Sequence, residues 1–227
     1  MKTARKKLTV LVLAVFIAGG AFAQTRYSIG VGGFFGNDFG GGAESSLGGL
    51  WDSKTETPYA GGGAYVFFDA VYIEASLGIF FGGGPVKETL AVLGAGGSYS
   101  FDFNFTSLNI GLFGKYPFTI SNSLKLFPLF GIDIQIVLSA GWNGEKFEGK
   151  YNKGGPVDLT ALWFKLGGGV DYSFTSKIFL RAEALYGIRF PNKFEIDIMN
   201  EFDVSDVTAN PLIGHGFTVR LAIGCRF

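Results

Sequence analysis

The sequence predicts an all-β chain, an eight-stranded antiparallel up-and-down transmembrane β-barrel, on three observations. The last residues, Gly216–Phe227, alternate without a break: Phe217, Val219, Leu221, Ile223, Cys225 and Phe227 share one strand face, Arg220 and Arg226 the other. The N-terminus carries a basic segment followed by a short apolar one. Between the two ends, apolar residues come in short alternating runs separated by Gly-rich or acidic stretches. No run after Ile17 approaches the ~20 apolar residues of a helical span. A membrane barrel turns such apolar faces outward to lipid and keeps the polar faces inside.

Residues 1–23 read as a cleaved signal peptide. Lys2, Arg5, Lys6 and Lys7 precede the apolar core Leu8–Ile17, and Ala21-Phe22-Ala23 offers small residues for cleavage before Gln24. Residues 24–227 then form a single barrel domain. Hydrophobic residues make up 48% of the chain, with 25 Phe and 36 Gly. Glycine at that frequency, well above the usual ~7%, suits strands that bend around a crowded interior. Of 19 basic residues four lie in the signal segment, leaving 15 against 19 acidic ones, a net charge of −4. Such a chain lacks the basic footprint of a nucleic-acid binder. Cys225 has no partner for an internal disulfide and reads as a small lipid-facing hydrophobe.

The elements follow in order. Tyr27–Phe35 is the first strand, with Tyr27, Ile29 and Val31 set against Ser28, Gly30 and Gly32. Residues 36–60 form the first outer loop. Gly61–Phe68 descends, Asp69-Ala70-Val71 turns, and Tyr72–Phe81 ascends with Ile73, Ala75, Leu77 and Ile79 opposite Glu74, Ser76 and Gly78. Residues 82–105 are the second loop. Ser107–Phe118 descends, Ser121-Asn122-Ser123 turns, and Leu126–Leu138 ascends with Asp133 and Gln135 inward. After a third loop, 139–160, Leu162–Ser173 descends with Lys165 and Asp171 inward. Thr175-Ser176-Lys177 turns, and Ile178–Phe190 ascends with Arg181, Glu183 and Arg189 inward. Residues 191–215 are the fourth loop, and the C-terminal strand closes the sheet. Short and long connections alternate, as they do between the periplasmic and outer sides of a bacterial barrel, which sets both termini in the periplasm.

The second loop is ambiguous. Tyr99, Phe101, Phe103 and Phe105 alternate with Ser98, Ser100, Asp102 and Asn104, and the parity shifts near Thr106. A β-bulge there continues one strand above the membrane, whereas an extra hairpin gives ten strands. Phe194, Ile196 and Ile198 form a similar run in the fourth loop. Aromatic belts are expected at Tyr27, Tyr116, Phe118, Tyr172 and Phe227 on the periplasmic side. On the outer side they are expected at Phe35, Phe80, Phe81, Trp163 and Phe190.

The inward set holds Glu74, Asp133, Asp171 and Glu183 against Lys115, Lys165, Arg181, Arg189, Arg220 and Arg226. In an eight-stranded barrel, barely wide enough for side chains, these charges are expected to pair into a salt-bridged, plugged lumen. A wet lumen with room at Gly111, Gly167 and Gly169 is the alternative. The four loops hold 14 acidic and six basic residues, including Glu201, Asp203 and Asp206, and form an acidic outer surface for an extracellular ligand. No enzyme is expected: His215 is the one histidine, and no serine or acid is placed to complete a nucleophilic site. No cofactor, metal set or phosphate-binding loop is expected either.

Ala21-Phe22-Ala23, the eight alternating runs, the long/short loop rhythm and the terminal Phe217-to-Phe227 strand together resemble the small bacterial outer-membrane barrels of the OmpA-domain, OmpX and OmpW type. The resemblance covers the whole mature chain and is architectural. It implies the cell outer membrane as location, with membrane lipid and lipopolysaccharide as surroundings. It also implies a monomer, and recognition of the terminal strand by the barrel-assembly machinery. Cys225 departs from the larger residues common at that position. The role implied is structural or surface-interactive. The OmpW-like alternative is a narrow channel for small or hydrophobic solutes, its mouth near Leu90–Leu93 and Phe101–Phe105.

Overall fold

Each alternating run forms a strand, and successive ring strands pair side by side, across short turns and long connections alike. The structure, a computed structural model, describes residues 27–39, 42–47, 51–92, 95–142, 145–146, 161–190 and 208–227. Residues 1–26, which include the expected signal peptide, most of the expected third loop and residues 191–207 of the expected fourth, with the Phe194–Ile198 run and Glu201, Asp203 and Asp206, lie outside the described residues. In chain order the strands are β1 (Ser28–Asp38), β2 (Gly42–Leu47), β3 (Trp51–Glu56), β4 (Tyr59–Asp69), β5 (Ile73–Val92), β6 (Ala95–Lys115) and β7 (Phe118–Thr119). They continue with β8 (Leu124–Trp142), β9 (Glu145–Lys146), β10 (Ala161–Ser173), β11 (Ile178–Phe190), β12 (Thr208–Leu212) and β13 (Gly214–Arg226).

Eight of them close a ring. The order runs β1, β4, β5, β6, β8, β10, β11, β13 and back to β1, every pairing antiparallel. Closure leaves no membrane-buried edge, so every backbone group of the span finds a partner within the sheet. Seven of these pairings join strands that follow one another along the ring and the chain. The eighth, β1 with β13, joins the two ends, Ser28 lying opposite Arg226 and Gly36 opposite Thr218. The ten-strand alternative is not the ring observed.

The outer loops expected at 36–60 and 82–105 are largely strand. β2 and β12 prolong the β1–β13 ladder in the same register, since Gly36 pairs with Thr218, Phe39 with His215, and Gly42 with Leu212. β3 prolongs β4 along β5: Ala60 pairs with Gly83 and Glu56 with Lys87. The β5–β6 hairpin runs unbroken from Ile73–Gly114 to Val92–Ala95. One side of the barrel therefore rises as a tall wall, roughly 25 Å above Phe81 at the strand rise per residue and a barrel tilt.

That wall inverts its polarity at one level. Below it, Leu77, Ile79, Phe81 and Ile110 point outward and are exposed, while Glu74, Ser76, Ser107 and Phe113 are buried inside. Above it, Lys87, Thr89, Ser100, Asp102 and Asn104 are the exposed residues, and Val86 and Phe105 are buried. Backbone parity does not change, because β5 and β6 keep one register throughout. The faces exchange chemistry, as a sheet must when its outer side passes from lipid to water. The parity shift read at Thr106 is this inversion. A bulge is present at the same height, but it lies in the β6–β8 pairing: Ser107 faces Val137, Thr106 faces Ser139, and Leu138 on β8 is the residue left over. From Ile73 to Phe81 the strand has the length that a tilted crossing of about 9–11 residues requires.

Most expected belt aromatics face outward. Tyr116, Phe118, Tyr172 and Phe227 are exposed at the short-turn end and Phe35, Phe81 and Phe190 at the opposite end; Tyr27 is half-buried against Phe68, ring centroids 5.6 Å apart. Phe80 and Trp163 depart from the expectation. Each sits between apolar neighbours, so hydrophobicity gave no face, and strand parity turns both inward.

Candidate functional site

The interior is built by inward-facing positions of all eight ring strands. Glycines let the sheet curve tightly enough to bring them together. At Gly63, for example, a Cβ would stand 1.8 Å from the Ile79 carbonyl oxygen, so no other residue fits there.

Arg181 on β11 is the centre of the lower interior and has no solvent exposure. Its Nη1 donates to Glu74 Oε2 at 2.6 Å and its Nη2 to Asp69 Oδ2 at 2.6 Å. Its Nε and Nη2 fork onto Asp171 at 2.7 and 2.9 Å, and Glu183 lies 3.8 Å from Nε. Asp69 and Glu74 are directly paired across β4–β5, an arrangement of like charges that needs an intervening cation. Phe67, Phe127 and Phe179 pack around the same guanidinium, with ring centroids 4.3, 5.0 and 5.2 Å from Cζ. Lys115 also pairs with Asp69 and lies 4.5 Å over the Phe127 ring. The turn that sets Asp69 beside Glu74 holds Val71 at φ 64°, with Tyr72 N donating to Ala70 O at 2.7 Å. A β-branched residue is strained there.

Higher in the barrel, Arg220 lies between three carboxylates: 3.6 Å from Glu74 Oε1, 3.6 Å from Glu183 Oε2 and 3.8 Å from Asp133 Oδ2. Lys165 donates to Asp133 at 2.6 Å. Arg226, at the short-turn rim, donates to Ser173 at 2.6 Å and stands 3.4 Å from Asp171. Arg189 pairs with Asp38 at 2.7 Å near the end opposite the short turns, above Gly214, where a Cβ would collide with both side chains. Glu74, Lys115, Asp133, Lys165, Asp171, Arg181, Glu183, Arg189, Arg220 and Arg226 are thus brought into one interior. Two acids join them that the alternation did not assign: Asp69, read as a turn, and Asp38, read as an acidic loop residue.

The character changes toward the outer end. Trp163 Nε1 and Tyr59 Oη both donate to Gln135 Oε1, at 3.2 and 3.0 Å, and Gln135 Nε2 donates to Ser107 Oγ at 3.1 Å. Above this amide, Phe80, Phe105 and Ala140 form a buried cluster with Phe34, Tyr59 and Phe103 against it. Tyr59 meets Phe105 edge-on with centroids 4.9 Å apart. Between the polar and aromatic layers lies a cavity of about 30 Å³, bordered by Asn109, Gln135, Lys165, Thr218 and Phe80. That is room for about one or two waters.

The remaining sequence candidates sit apart from this interior. Phe217, Val219, Leu221 and Ile223 are exposed on the outward face, Phe227 more so, and Cys225 is half-buried at the short-turn end. His215 points outward beside Phe39, centroids 5.8 Å apart. Among the described residues no group of three or more His, Cys, Asp and Glu is arranged to hold a metal. Outside the span, Lys54 pairs with Glu56 at 2.9 Å and holds that carboxyl below the usual glutamate range, by a hydrogen bond first and by its charge second.

No protein-family model matches the chain, and no curated protein matches it. Structural similarity is found to small outer-membrane barrels. The outer membrane protein OprG from Pseudomonas aeruginosa is 13% identical, with 89% of this chain and 96% of that one covered and a TM-score of 0.40. Neisserial surface protein A is 14% identical, with 86% and 97% covered and a TM-score of 0.38. The outer membrane protease OmpT of Escherichia coli is 9% identical, with 90% and 97% covered and a TM-score of 0.33. At such scores the likeness assigns this chain no activity.

Proposed function

We propose that this is a monomeric, non-enzymatic outer-membrane barrel with a closed, salt-bridged lumen and a structural or surface-interaction role. Both termini lie in the periplasm, and the tall wall stands outside the cell. The observation that carries the reading is Arg181, without solvent exposure, held by Asp69, Glu74 and Asp171 and packed by three aromatic rings across the barrel. A hydrated pore has no such seal, and desolvated charges persist where opposite charges stand beside them. The inversion of polarity above Phe81 supports exposure of the tall wall to water. Lipid and lipopolysaccharide would meet the apolar belt, an extracellular ligand would meet the wall and loops, and the barrel-assembly machinery would read the terminal strand.

Conductance across planar bilayers tests the closed lumen. The protein is expected to give no reproducible ion-conducting steps, and the fraction of Arg181→Ala that folds and inserts to give intermittent ones. Regular openings of the unaltered protein at neutral pH would defeat the proposal. The second reading, a narrow route for small apolar solutes, is favoured by the aromatic cluster at the outer end. It requires the solute to leave sideways above the ionic layer. Uptake of an apolar dye into vesicles, abolished by Gly36→Trp at the cavity wall, would support it.

A further inference from the structure

We propose that the closing strand completes the charge balance of the interior, so that neutralisation of the lumen drives closure of the barrel. The β1–β13 seam joins the first and last strands of the ring, whereas every other ring pairing joins ring strands that are consecutive along the chain. Contacts of such separation form last, because the intervening chain must first be ordered. Without β13, the central interior holds five acids, Asp69, Glu74, Asp133, Asp171 and Glu183, against three bases, Lys115, Lys165 and Arg181. β13 brings two cations and no anion. Arg220 reaches Glu74, Glu183 and Asp133, and Arg226 reaches Asp171. The count is then five against five.

The carboxylates that wait are specific. Glu183 is 2% exposed, and neither of its oxygens accepts a hydrogen bond; its cations are Arg220 at 3.6 Å and Arg181 at 3.8 Å. Glu183 and Arg220 are also direct cross-strand partners on β11 and β13. An open sheet would leave this acidic patch with a net charge of −2 beside an empty edge, and the arginine-bearing strand is the element that fits it. The seam itself is held on the opposite side by Asp38 of β1 and Arg189 of β11, which meet over Gly214 of β13. A closed seam therefore sets the last strand beneath an ion pair made by its two neighbours.

Cys225, the protein's single cysteine, gives a direct readout, because it lies opposite Ile29 across the seam and opposite Ile178 within the preceding hairpin. Cross-strand partners are within disulfide range. Ile29→Cys reports closure and Ile178→Cys reports only the β11–β13 hairpin, each by diamide oxidation during refolding from urea into phosphatidylcholine vesicles. Arg220→Gln with Arg226→Gln is expected to slow the 29–225 link about tenfold, the lower end of electrostatic rate effects, and to leave the 178–225 link unchanged. Adding Glu74→Gln and Glu183→Gln should restore the closure rate. Arg220→Lys with Arg226→Lys, which keeps the charge, should close within about twofold of the parent protein. The proposal fails if the Gln pair closes at the parent rate, if both links slow equally, or if the Lys pair is as slow as the Gln pair.

Discussion

The lower and upper halves of the β5–β6 hairpin share one backbone and follow opposite rules. Below Phe81 the outward residues are apolar and the inward ones include Glu74, Lys115 and Ser107; above it the outward residues are Lys87, Ser100 and Asp102, and Val86 and Phe105 are buried. Register is continuous across the change, so the difference is imposed by the surroundings and not by the fold. A strand records in its side chains which solvent each face meets. The lower half is held by paired charge in a narrow interior. The upper half is held as a water-soluble sheet is, by aromatic packing on its concave face.

The comparison breaks most sharply at Arg181. Arg181→Ala leaves Asp69, Glu74 and Asp171 buried without their common cation, and is expected to cost about 3–5 kcal/mol or to prevent folding. Loss of heat-resistant electrophoretic mobility and urea unfolding in vesicles would measure it. In the upper half the corresponding deletion is Phe105→Ala, which removes a ring packed on Tyr59, Phe80 and Phe103 and should cost about 3 kcal/mol. The outer faces sharpen the contrast. Ile110→Arg sets a charge in lipid and should cost about 2 kcal/mol or more, whereas Ser100→Arg, outward on the same strand above the inversion, should change stability by less than about 0.5 kcal/mol. Equal penalties at the two sites would remove the distinction between the halves.

The smallest effect lies at Glu56. Lys54 lowers its pKa, so the pair contributes only where Glu56 is ionised, above the ordinary carboxylate range, and the contribution is lost as pH falls through the lowered value. Both side chains of the pair are about half exposed to water, and the contribution should be below about 0.5 kcal/mol. NMR titration should find Glu56 below the usual glutamate range and Lys54→Ala should move it up.

Sequence pattern was enough to find the ring because lipid enforces alternation on the outside and a narrow lumen enforces polarity within. Ile73–Ile79, Ile178–Phe190 and Gly216–Phe227 could each be read with their correct faces. The misreadings fall where two faces have similar chemistry or where the solvent changes. Phe80 beside Phe81, and Trp163 between Leu162 and Phe164, have apolar residues on both sides, so only parity counted from a distant charged neighbour assigns them. Asp69 follows Tyr65 and Phe67 on the inward parity, but at a strand end its charge suggested a turn. Residues 82–105 looked like a loop because their alternation is inverted relative to the membrane span. Read as a change of solvent, the same pattern marks a continuing strand. The ion-pair partners themselves could not be read, since which of four acids meets Arg181 depends on strand stagger around the ring.

The inversion is tested most directly by a nitroxide scan of outward β5 positions Ala75, Leu77, Ile79, Phe81, Lys87 and Thr89 in lipid vesicles, comparing collisions with oxygen and with a water-soluble nickel complex. Oxygen access should dominate through Phe81, and nickel access should dominate at Lys87 and Thr89. Nickel access along the entire strand, or oxygen dominance continuing to Thr89, would contradict it.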